Sequence, residues 1–392
     1  AGITLTTQAA ADLAAQAVLI AKVSAPLNPR PVELAPEPVH TGEWVSAYTT
    51  NPFEVAESDR VGRLVHLSDA LKGQVGVEHT SVSCMYVQEN TFFANLDGTQ
   101  TSQQRVRIQA DVEAVAVTDD GFFTMRTVAP PAGRGWEHLT GEGWDYDAEV
   151  DELGTHLAEL VAAPSVEPGR KDLVISPTNL WLTIHESVAH GTELDRALGY
   201  EAAYAGTSFA TFDKLGSLAY GSPVMNVTGD RVTEHGLSTV GWDDEGVAAQ
   251  TFDIIREGTL VGYQLNRQMA QEKGFGRSNG CAFADSAGHI PLQRMPNVSL
   301  QASPEPTTLD DLIGAVDDGL YVVGDKSWSI DMQRYNFQFT GQRFYRIKNG
   351  TLAGQVKDAA YQATTTDFWG SMEAVGGEST WLLHGAFNCG KG

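Results

Sequence analysis

The sequence has few cysteines and no long uninterrupted apolar run. Its 392 residues include three cysteines, Cys84, Cys281 and Cys389, which are too few and too scattered for a disulfide framework. No stretch approaches the roughly 20 apolar residues of a membrane span, and no basic segment followed by an apolar one marks a signal peptide. These absences predict a cytoplasmic protein without membrane contact.

Positive charge is also scarce. The chain has 26 lysines and arginines against 50 aspartates and glutamates, which gives a formal net charge of −24. Nucleic-acid affinity rests on neutralising phosphates with Lys and Arg, so we do not expect DNA or RNA as partners. Glycine, at 40 residues, and apolar residues, at 42%, are abundant, which indicates many turns around a large core and argues against an all-helical protein.

The amino-terminal part mixes helical and strand patterns. Residues 7–23, 54–72 and 146–163 have helical spacing of apolar side chains. Residues 75–129 alternate between apolar and polar side chains, which is typical of antiparallel hairpins. We therefore predict an α/β amino-terminal domain over residues 1–163.

Short strands dominate the rest of the chain. The run "KDLVISP" predicts a strand that leads into a helix with Pro177 in its first turn. Farther on, Glu257-Gly258 and Asn349-Gly350 predict hairpin turns between β-branched or aromatic runs. We predict a β-rich domain over residues 164–392.

The stretch "IHESVAHGTELDRALGY" contains His185 and His190, with Glu186 directly after the first histidine. Side chains five apart in a straight α-helix point about 140° away from each other and lie about 7.5 Å apart along the axis. The two rings can share one metal ion only if the helix widens in a π-type bulge, bends, or ends, for example at Gly191. The alternative is an ordinary helix with one buried and one solvated histidine.

A catalytic zinc site usually has three protein ligands. Cys389 is the candidate for the third, because a thiolate binds zinc strongly and "FNCGKG" is a glycine-rich loop. Gly385–Lys391 also matches the phosphate-loop pattern G-x-x-x-x-G-K. However, Gly392 stands where Ser or Thr should hold magnesium, and neither a strand nor a helix is predicted to frame the loop.

With these motifs, the carboxy-terminal half resembles the TldD/PmbA family of metallopeptidases, on its TldD side. The similarity covers nearly all of residues 171–392, with the blocks in the family's order. The blocks are HExxxH, "TELDRALGYEAAYAGTSF", "TVGWDDEG", "SNGCAFADS", "MPNVSL", "SWSIDMQRYNFQF" and "LHGAFNCGKG". The amino-terminal half resembles the family more loosely. Since members usually have residues before the position of Ala1, we expect a longer natural chain.

The resemblance implies an α+β fold, with an α/β amino-terminal domain followed by a carboxy-terminal domain built on a twisted antiparallel β-sheet. It also implies that His185, His190 and Cys389 bind Zn²⁺ and that Glu186 is the catalytic general base. TldE-type partner subunits of the family lack these residues. The resemblance therefore implies the catalytic member, in a homodimer or in a heterodimer with a TldE-like subunit.

The function implied is a zinc metallopeptidase that hydrolyses unfolded or extended peptides, including leader segments of peptide natural products. A β-rich domain is suited to binding such a peptide along a sheet edge. Two alternatives stay open: a non-catalytic peptide-binding or scaffold subunit of a TldD/TldE-type complex, and a zinc amidase that acts on small molecules.

Other residues are candidates for supporting roles. Glu193 and Asp195 could orient a ligand imidazole through its second nitrogen, or be solvated turn carboxylates. Cys84 and Cys281 are interpreted as small buried apolar groups. Four side chains are candidate donors to a developing oxyanion: His289, His384, Tyr263 and Arg196.

Overall fold

A computed structural model describes the protein over residues 2–28, 31–119 and 121–391. The α-helices in these ranges are α1 (Thr7–Ser24), α2 (Glu57–Lys72), α3 (Tyr146–Ala162), α4 (Pro177–Ile184), α5 (Leu194–Ala197), α6 (Arg267–Glu272), α7 (Leu309–Gly314) and α8 (Thr365–Gly370). The strands are β1 (Thr41–Val45), β2 (His79–Ala94), β3 (Gln100–Thr118), β4 (Gly121–Arg126), β5 (Asp172–Ile175), β6 (Val227–Asp230), β7 (Thr251–Arg256), β8 (Thr259–Leu260), β9 (Ala282–Phe283), β10 (Leu292–Gln293), β11 (Asn297–Leu300), β12 (Asp318–Ile330), β13 (Asn336–Lys348), β14 (Thr351–Val356) and β15 (Ala360–Thr364).

The amino-terminal sheet is built around β3. Strands β2 and β4 pair with β3 antiparallel, and β1 pairs with it parallel. Every second residue of β3 from Val106 to Ala116 is buried, and helices α2 and α3 cover this face with side chains such as Leu67 and Leu157. The predicted alternation thus gives one apolar face that is packed on helices.

Helix α1 lies outside these cores, and none of its residues is buried. By length and composition, Thr7–Leu27 could cross a membrane, with a mean hydropathy of 1.3. By this measure, the expectation that no stretch approaches a membrane span was wrong. The alanines between Gln8, Asp12 and Gln16 raise the mean hydropathy of the helix. Signal sequences and core helices pass the same test, so the lack of membrane contact stays a prediction.

Two larger sheets form the carboxy-terminal part. One has the order β14-β13-β12-β5, with β15 also paired to β13, and the other has the order β11-β6-β7-β8. All these pairings are antiparallel except that of β5 with β12. The mixed α+β fold with an antiparallel second half is confirmed. The domain boundary after residue 163, just past the end of α3, stays a prediction.

Helix α4 ends at Ile184, directly before the HExxxH motif. Pro177 opens its first turn, as the sequence predicts, and Ser176 caps it. Asn179 Nδ2 donates to the carbonyl groups of Gly324 and Thr340, at 2.9 and 3.1 Å. These bonds to β12 and β13 fix where α4 lies on the sheet.

The helix widens at the histidines. His185–Ala189 form a π-helical turn in which the His190 N–H donates to the His185 carbonyl, and a 3₁₀ turn follows over His190–Thr192. This is the widening that the five-residue spacing requires. Gly191 does not end the helix but lies in the 3₁₀ turn, where a Cβ atom would be 2.9 Å from the Tyr220 hydroxyl.

Side chains from distant elements hold the π turn. The Tyr220 hydroxyl donates to the Ser187 carbonyl at 2.5 Å, and Gln264 Nε2 donates to the Ala189 carbonyl at 2.5 Å. Trp369 Nε1 donates to Ser187 Oγ at 2.9 Å. A π turn changes which N–H reaches each carbonyl, and a buried carbonyl without a donor is costly. These bonds therefore stabilise the local geometry that aligns the histidines.

We predict that Tyr220→Phe destabilises the protein by about 1–3 kcal/mol, because it leaves the buried Ser187 carbonyl without this donor. The free energy of unfolding is measured in urea. Tyr204→Phe, at an exposed tyrosine, is the matched control and should have no effect. Equal stability of Tyr220→Phe and the wild type would show that the hydroxyl does not support the π turn.

Candidate metal centre

The π turn and the carboxy-terminal loop bring three donor side chains together. Cys389 Sγ lies 3.4 Å from His185 Nε2 and 3.3 Å from His190 Nε2. The two imidazole rings are 4.7 Å apart between centroids, and the three ligand atoms all lie within 4.8 Å of one another. The structure thus places the three predicted metal ligands in one cluster.

The spacing of these donors fits a tetrahedral ion. With Zn–N near 2.05 Å and Zn–S near 2.3 Å, tetrahedral geometry places sulfur about 3.6 Å from nitrogen and two nitrogens about 3.4 Å apart. The sulfur–nitrogen distances of 3.3 and 3.4 Å are close to this value. Three donors leave one coordination position for water or substrate, the arrangement of catalytic zinc sites. Other transition ions also bind N/S donor sets.

The Cys389 thiol is prepared to ionise. Burial opposes the charged form, but hydrogen bonds and charge from His185 and His190 outweigh burial and lower its pKa to about 5. A thiolate, not a thiol, is the form that binds metal. The cluster therefore supplies a metal-binding sulfur at neutral pH.

Buried ion pairs hold the loop that carries Cys389. The Lys391 ammonium, 2% exposed, lies 2.8 Å from Asp195 Oδ2 and 3.4 Å from Glu193 Oε1. Arg294 Nη2 donates to the Cys389 carbonyl at 2.5 Å. The phosphate-loop interpretation finds no support among the described residues, because Lys391 already pairs with these carboxylates. Gly392 lies outside the described residues.

Glu193 orients the second histidine. Its Oε2 atom lies 3.0 Å from His190 Nδ1 and accepts from Arg196 Nε at 3.1 Å. Burial opposes ionisation of Glu193, but the charges of Lys391 and His190 outweigh it and hold its pKa well below the ordinary value. A proton on His190 Nδ1 leaves Nε2 free to face Cys389.

Asp195 does not contact an imidazole. Its carboxylate binds Lys391, and burial raises its pKa to about 6 in spite of the Lys391 charge. Of the two candidate orienting carboxylates, Glu193 thus hydrogen-bonds to a histidine, whereas Asp195 forms an ion pair with Lys391 in the carboxy-terminal loop. Both are buried, so neither is a solvated turn residue.

Glu186 forms an ion pair that the sequence analysis missed. Its Oε2 atom accepts from Arg334 Nη1 at 2.6 Å, and the two side chains are 8% and 14% exposed. Arg334 belongs to the block "SWSIDMQRYNFQF", which is the one signal that could have drawn attention to it. The pair is separated by 148 residues, so no local spacing reveals the contact.

A tight loop between β12 and β13 presents Arg334. Its backbone is left-handed, with φ of 62°, a conformation that is costly for residues other than glycine. The Asp331 carboxylate accepts from the backbone N–H groups of Gln333, Tyr335 and Asn336, at 3.1, 2.8 and 3.0 Å. These bonds offset the local strain and fix the guanidinium beside Glu186.

The four candidate oxyanion donors are occupied elsewhere in the described structure. The Tyr263 hydroxyl bonds to the carbonyls of Ala210 and Thr211. Arg196 binds Glu193 and the Ala205 carbonyl. His289 is exposed and pairs with Asp285.

His384 lies in the cleft but uses both ring nitrogens. Its Nδ1 atom accepts from the Gly385 N–H at 2.8 Å, and Nε2 lies 3.3 Å from the Val128 carbonyl. The ring stacks on Trp181 with centroids 5.3 Å apart. Burial lowers the His384 pKa to about 4, so this neutral ring packs against the site and does not donate into it.

The other two cysteines lie outside the cluster. Cys281 is fully buried, as predicted, and Cys84 is half-buried on β2. Burial raises the pKa of both thiols to about 12. Both are therefore protonated at neutral pH and poor nucleophiles.

Three curated relatives have protease names. A protein of Methanothermobacter thermautotrophicus named metalloprotease is 27% identical over 320 residues, which cover 81% of this chain and 65% of that protein. A metalloprotease TldD homolog of Haemophilus influenzae is 27% identical, over 87% of this chain and 69% of that protein. A zinc metalloprotease TldD homolog of Saccharolobus solfataricus is 22% identical, over 59% and 49%. The chain thus spans about two thirds or less of these relatives.

Solved structures share the fold. A Thermotoga maritima protein described as a modulator of DNA gyrase superposes with a TM-score of 0.72 at 15% identity, over 89% of this chain and 75% of that one. TldE from Thermococcus kodakarensis superposes with a TM-score of 0.68 at 17% identity, over 90% and 76%. At these identities the likeness shows the fold alone.

The family assignment rests on the carboxy-terminal part, where the histidines and Cys389 lie. The family model for the PmbA/TldA metallopeptidase C-terminal domain matches residues 168–391, which is more than half of the chain. The chain therefore belongs to the PmbA/TldD family.

Proposed function

We propose that this chain is the catalytic subunit of a zinc metallopeptidase that hydrolyses unfolded or extended peptides. The observation that carries the proposal is the convergence of two imidazole nitrogens and an acidic thiol. Glu186 directly follows the ligand His185 and is held by Arg334, which is also an electrostatic neighbour of Cys389. The protease names of the relatives, one of them a zinc metalloprotease, support it.

Bound Zn²⁺ would polarise the peptide carbonyl and lower the pKa of a coordinated water to about 7. Glu186 accepts the proton of the attacking water and passes it to the leaving nitrogen. Arg334 holds Glu186 Oε2, while Oε1 has no hydrogen-bond partner in the described part of the chain and is available to the water. His190 is kept in one tautomer by Glu193.

The cleft at the metal centre is large enough for a peptide. It encloses about 1750 Å³ and includes His185 and Cys389 in its lining, whereas small-molecule pockets typically measure about 300–1,000 Å³. Strand β11, the edge of its sheet, also lines the cleft. An extended peptide can add to such an edge through main-chain hydrogen bonds. Leader segments of peptide natural products are suitable substrates.

The alternatives are less well supported. A scaffold subunit needs no acidic thiol beside two histidines, and a small-molecule amidase needs no cleft of this size.

The likeness to TldE supports a heterodimer with a TldE-like subunit, and a homodimer is the alternative partner arrangement. The three free cysteines support a cytoplasmic location.

We expect His185→Ala and Cys389→Ala to lose bound zinc and peptide cleavage together, because each leaves two protein donors. Glu186→Gln should keep zinc and reduce cleavage by about 10²–10⁴-fold, the usual contribution of a general base. Zinc is measured by elemental analysis, and cleavage by mass spectrometry of an unstructured peptide. Cys84→Ala is the control. Full cleavage by the Glu186 variant would refute its role as base, and stoichiometric zinc in Cys389→Ala would refute that ligand.

The contact between Glu193 and His190 predicts a weaker metal site in Glu193→Gln. Loss of such a supporting carboxylate typically lowers metal affinity about 10–100-fold. Competition with a zinc chelator measures the affinity, and Glu234→Gln, at an exposed carboxylate, serves as the control. Unchanged zinc affinity in the Glu193 variant would mean that the hydrogen bond does not orient the ligand.

Arg334→Gln should lower kcat by about 100-fold with zinc retained and KM little changed, since misplacing a catalytic group costs about that much. Arg334→Lys should recover part of the loss, because it restores a positive charge but not the planar fork. Neither change adds backbone strain, because Arg, Gln and Lys are all unbranched at Cβ and pay a similar cost at φ of 62°. Exposed Arg256, changed to Gln, is the control. Wild-type kcat in Arg334→Gln would exclude a positioning role.

A further inference from the structure

Several arginines that the proposed hydrolysis does not use line the cleft, and two of them have, among the described residues, no acidic partner and a buried nitrogen without a hydrogen bond. Arg231 directly follows β6 and is 3% exposed, and Arg294 directly follows β10. Both line the same cleft as His185 and Cys389. A buried arginine is ordinarily paired with an acidic group, so the partners of these two are informative.

Neither guanidinium has an acidic partner in the described part of the chain. No carboxylate oxygen there lies within 4.0 Å of a guanidinium nitrogen of either residue. Arg231 makes no side-chain hydrogen bond to a described residue, and its Nε atom is buried without a partner. Arg294 donates through Nη2 to the Cys389 carbonyl, while its buried Nη1 atom has no partner. Both positive groups therefore keep unused donors.

The β9–β10 hairpin places the two arginines near each other. The Arg294 N–H donates to the Cys281 carbonyl at 2.6 Å, and Cys281 is also an electrostatic neighbour of Arg231. The Arg105 guanidinium lies over the ring of Phe283 in the same hairpin, at 5.9 Å from its centroid. Arg231 and Arg294 thus both lie near Cys281 in the wall of the cleft.

The acidic groups near these arginines are hydrogen-bonded to other residues. Glu89 alone pairs with both Arg105 and Arg107, at 2.5 and 2.6 Å. Asp243 and Asp244 lie near Arg231, but their oxygens accept from the backbone N–H groups of Ala282 and Ala284, at 3.0 and 2.7 Å. Burial raises the pKa of Asp243 to about 7 and raises that of Asp244 as well. Both aspartates thus act on Arg231 electrostatically, but neither forms an ion pair with it in the described part of the chain.

We propose that Arg231 and Arg294 form a subsite for a carboxylate of the peptide substrate. Arginine matches the planar carboxylate with two parallel hydrogen bonds. The carboxylate is either the carboxy terminus of the peptide or the side chain of an aspartate or glutamate within it. The identity of the ligand rests on the proposed peptidase function. Because Arg294 is bonded to the Cys389 backbone, the subsite adjoins the metal centre.

Binding to the zinc-loaded, full-length Glu186→Gln protein tests this subsite without turnover. The probes are fluorescently labelled Gly-Ser-Ala peptides in three forms: a free carboxy terminus, an amidated one, and an amidated one with an internal glutamate. A fourth peptide has glutamine in place of that glutamate. Preference for the free over the amidated terminus assigns the subsite to the terminal carboxylate, and preference for glutamate over glutamine assigns it to a side chain.

Arg231→Gln and Arg294→Gln should each weaken binding of the preferred carboxylate peptide about tenfold or more, the usual effect of losing a hydrogen bond to a charged group. Affinity for its neutral counterpart should not change. Arg170→Gln is the matched control, since Arg170 lines the same cleft but is exposed. It removes the same charge and should leave the preference intact.

Stability and zinc content are measured for each variant, because Arg231 is buried. If Arg231→Gln does not fold, Arg231→Lys replaces it and should reduce the preference partially. Equal binding of all four peptides by the parent protein would overturn the proposal, as would equal weakening of charged and neutral peptides in the arginine variants. Cleavage of the same peptides by the wild type distinguishes failure of the peptidase proposal from failure of the subsite proposal. A carboxylate preference without cleavage refutes the peptidase, and cleavage without a preference refutes only the subsite.

Discussion

The hydrogen bond from the His190 N–H to the His185 carbonyl is the constraint on which the candidate site depends. In an α-helix these residues point away from each other, and no ion could bind both rings. The π turn removes that separation, but it cannot persist on local preference alone, because π turns are rare. Donors from Tyr220 and Gln264 stabilise it, so the rest of the domain determines the geometry of the motif.

A second constraint joins the two ends of the family domain. The Lys391 ammonium lies between Glu193 and Asp195, and Glu193 also holds His190. Removing one member of such a buried cluster leaves a charge uncompensated. The position of Cys389 is therefore coupled to the orientation of His190, and the thiol and imidazole donors form one unit although they are 199 residues apart.

The parts of the fold that the sequence predicts are those with local causes. Alternation in β3 follows from a period of two, and Glu257-Gly258 and Asn349-Gly350 have the left-handed backbone that their hairpin turns require. That the helix must widen, bend or end between the histidines followed from the five-residue spacing, and the structure shows that it widens. The roles of His185, Cys389 and Glu186 came from family resemblance, and the structure adds that the side chains of His185, His190 and Cys389 are close together. Arg334, Arg231 and the donors to the π turn were not found, because their contacts join elements far apart in sequence.

Two unfavourable backbone conformations, the π turn and the left-handed Arg334, occur beside the same carboxylate. Each costs free energy locally, and each is held by hydrogen bonds. Tyr220, Gln264 and Trp369 bond to the π turn. The Arg334 loop is held by its own Asp331 and by the Thr365 hydroxyl, which donates to the Arg334 carbonyl at 2.7 Å. Such strain persists only where the surroundings over-determine the conformation. A helix with relaxed geometry would separate the histidines, and a relaxed loop would withdraw the arginine from Glu186. Part of the free energy of folding of the β-rich core thus stabilises a metal-binding geometry that none of its segments would adopt alone.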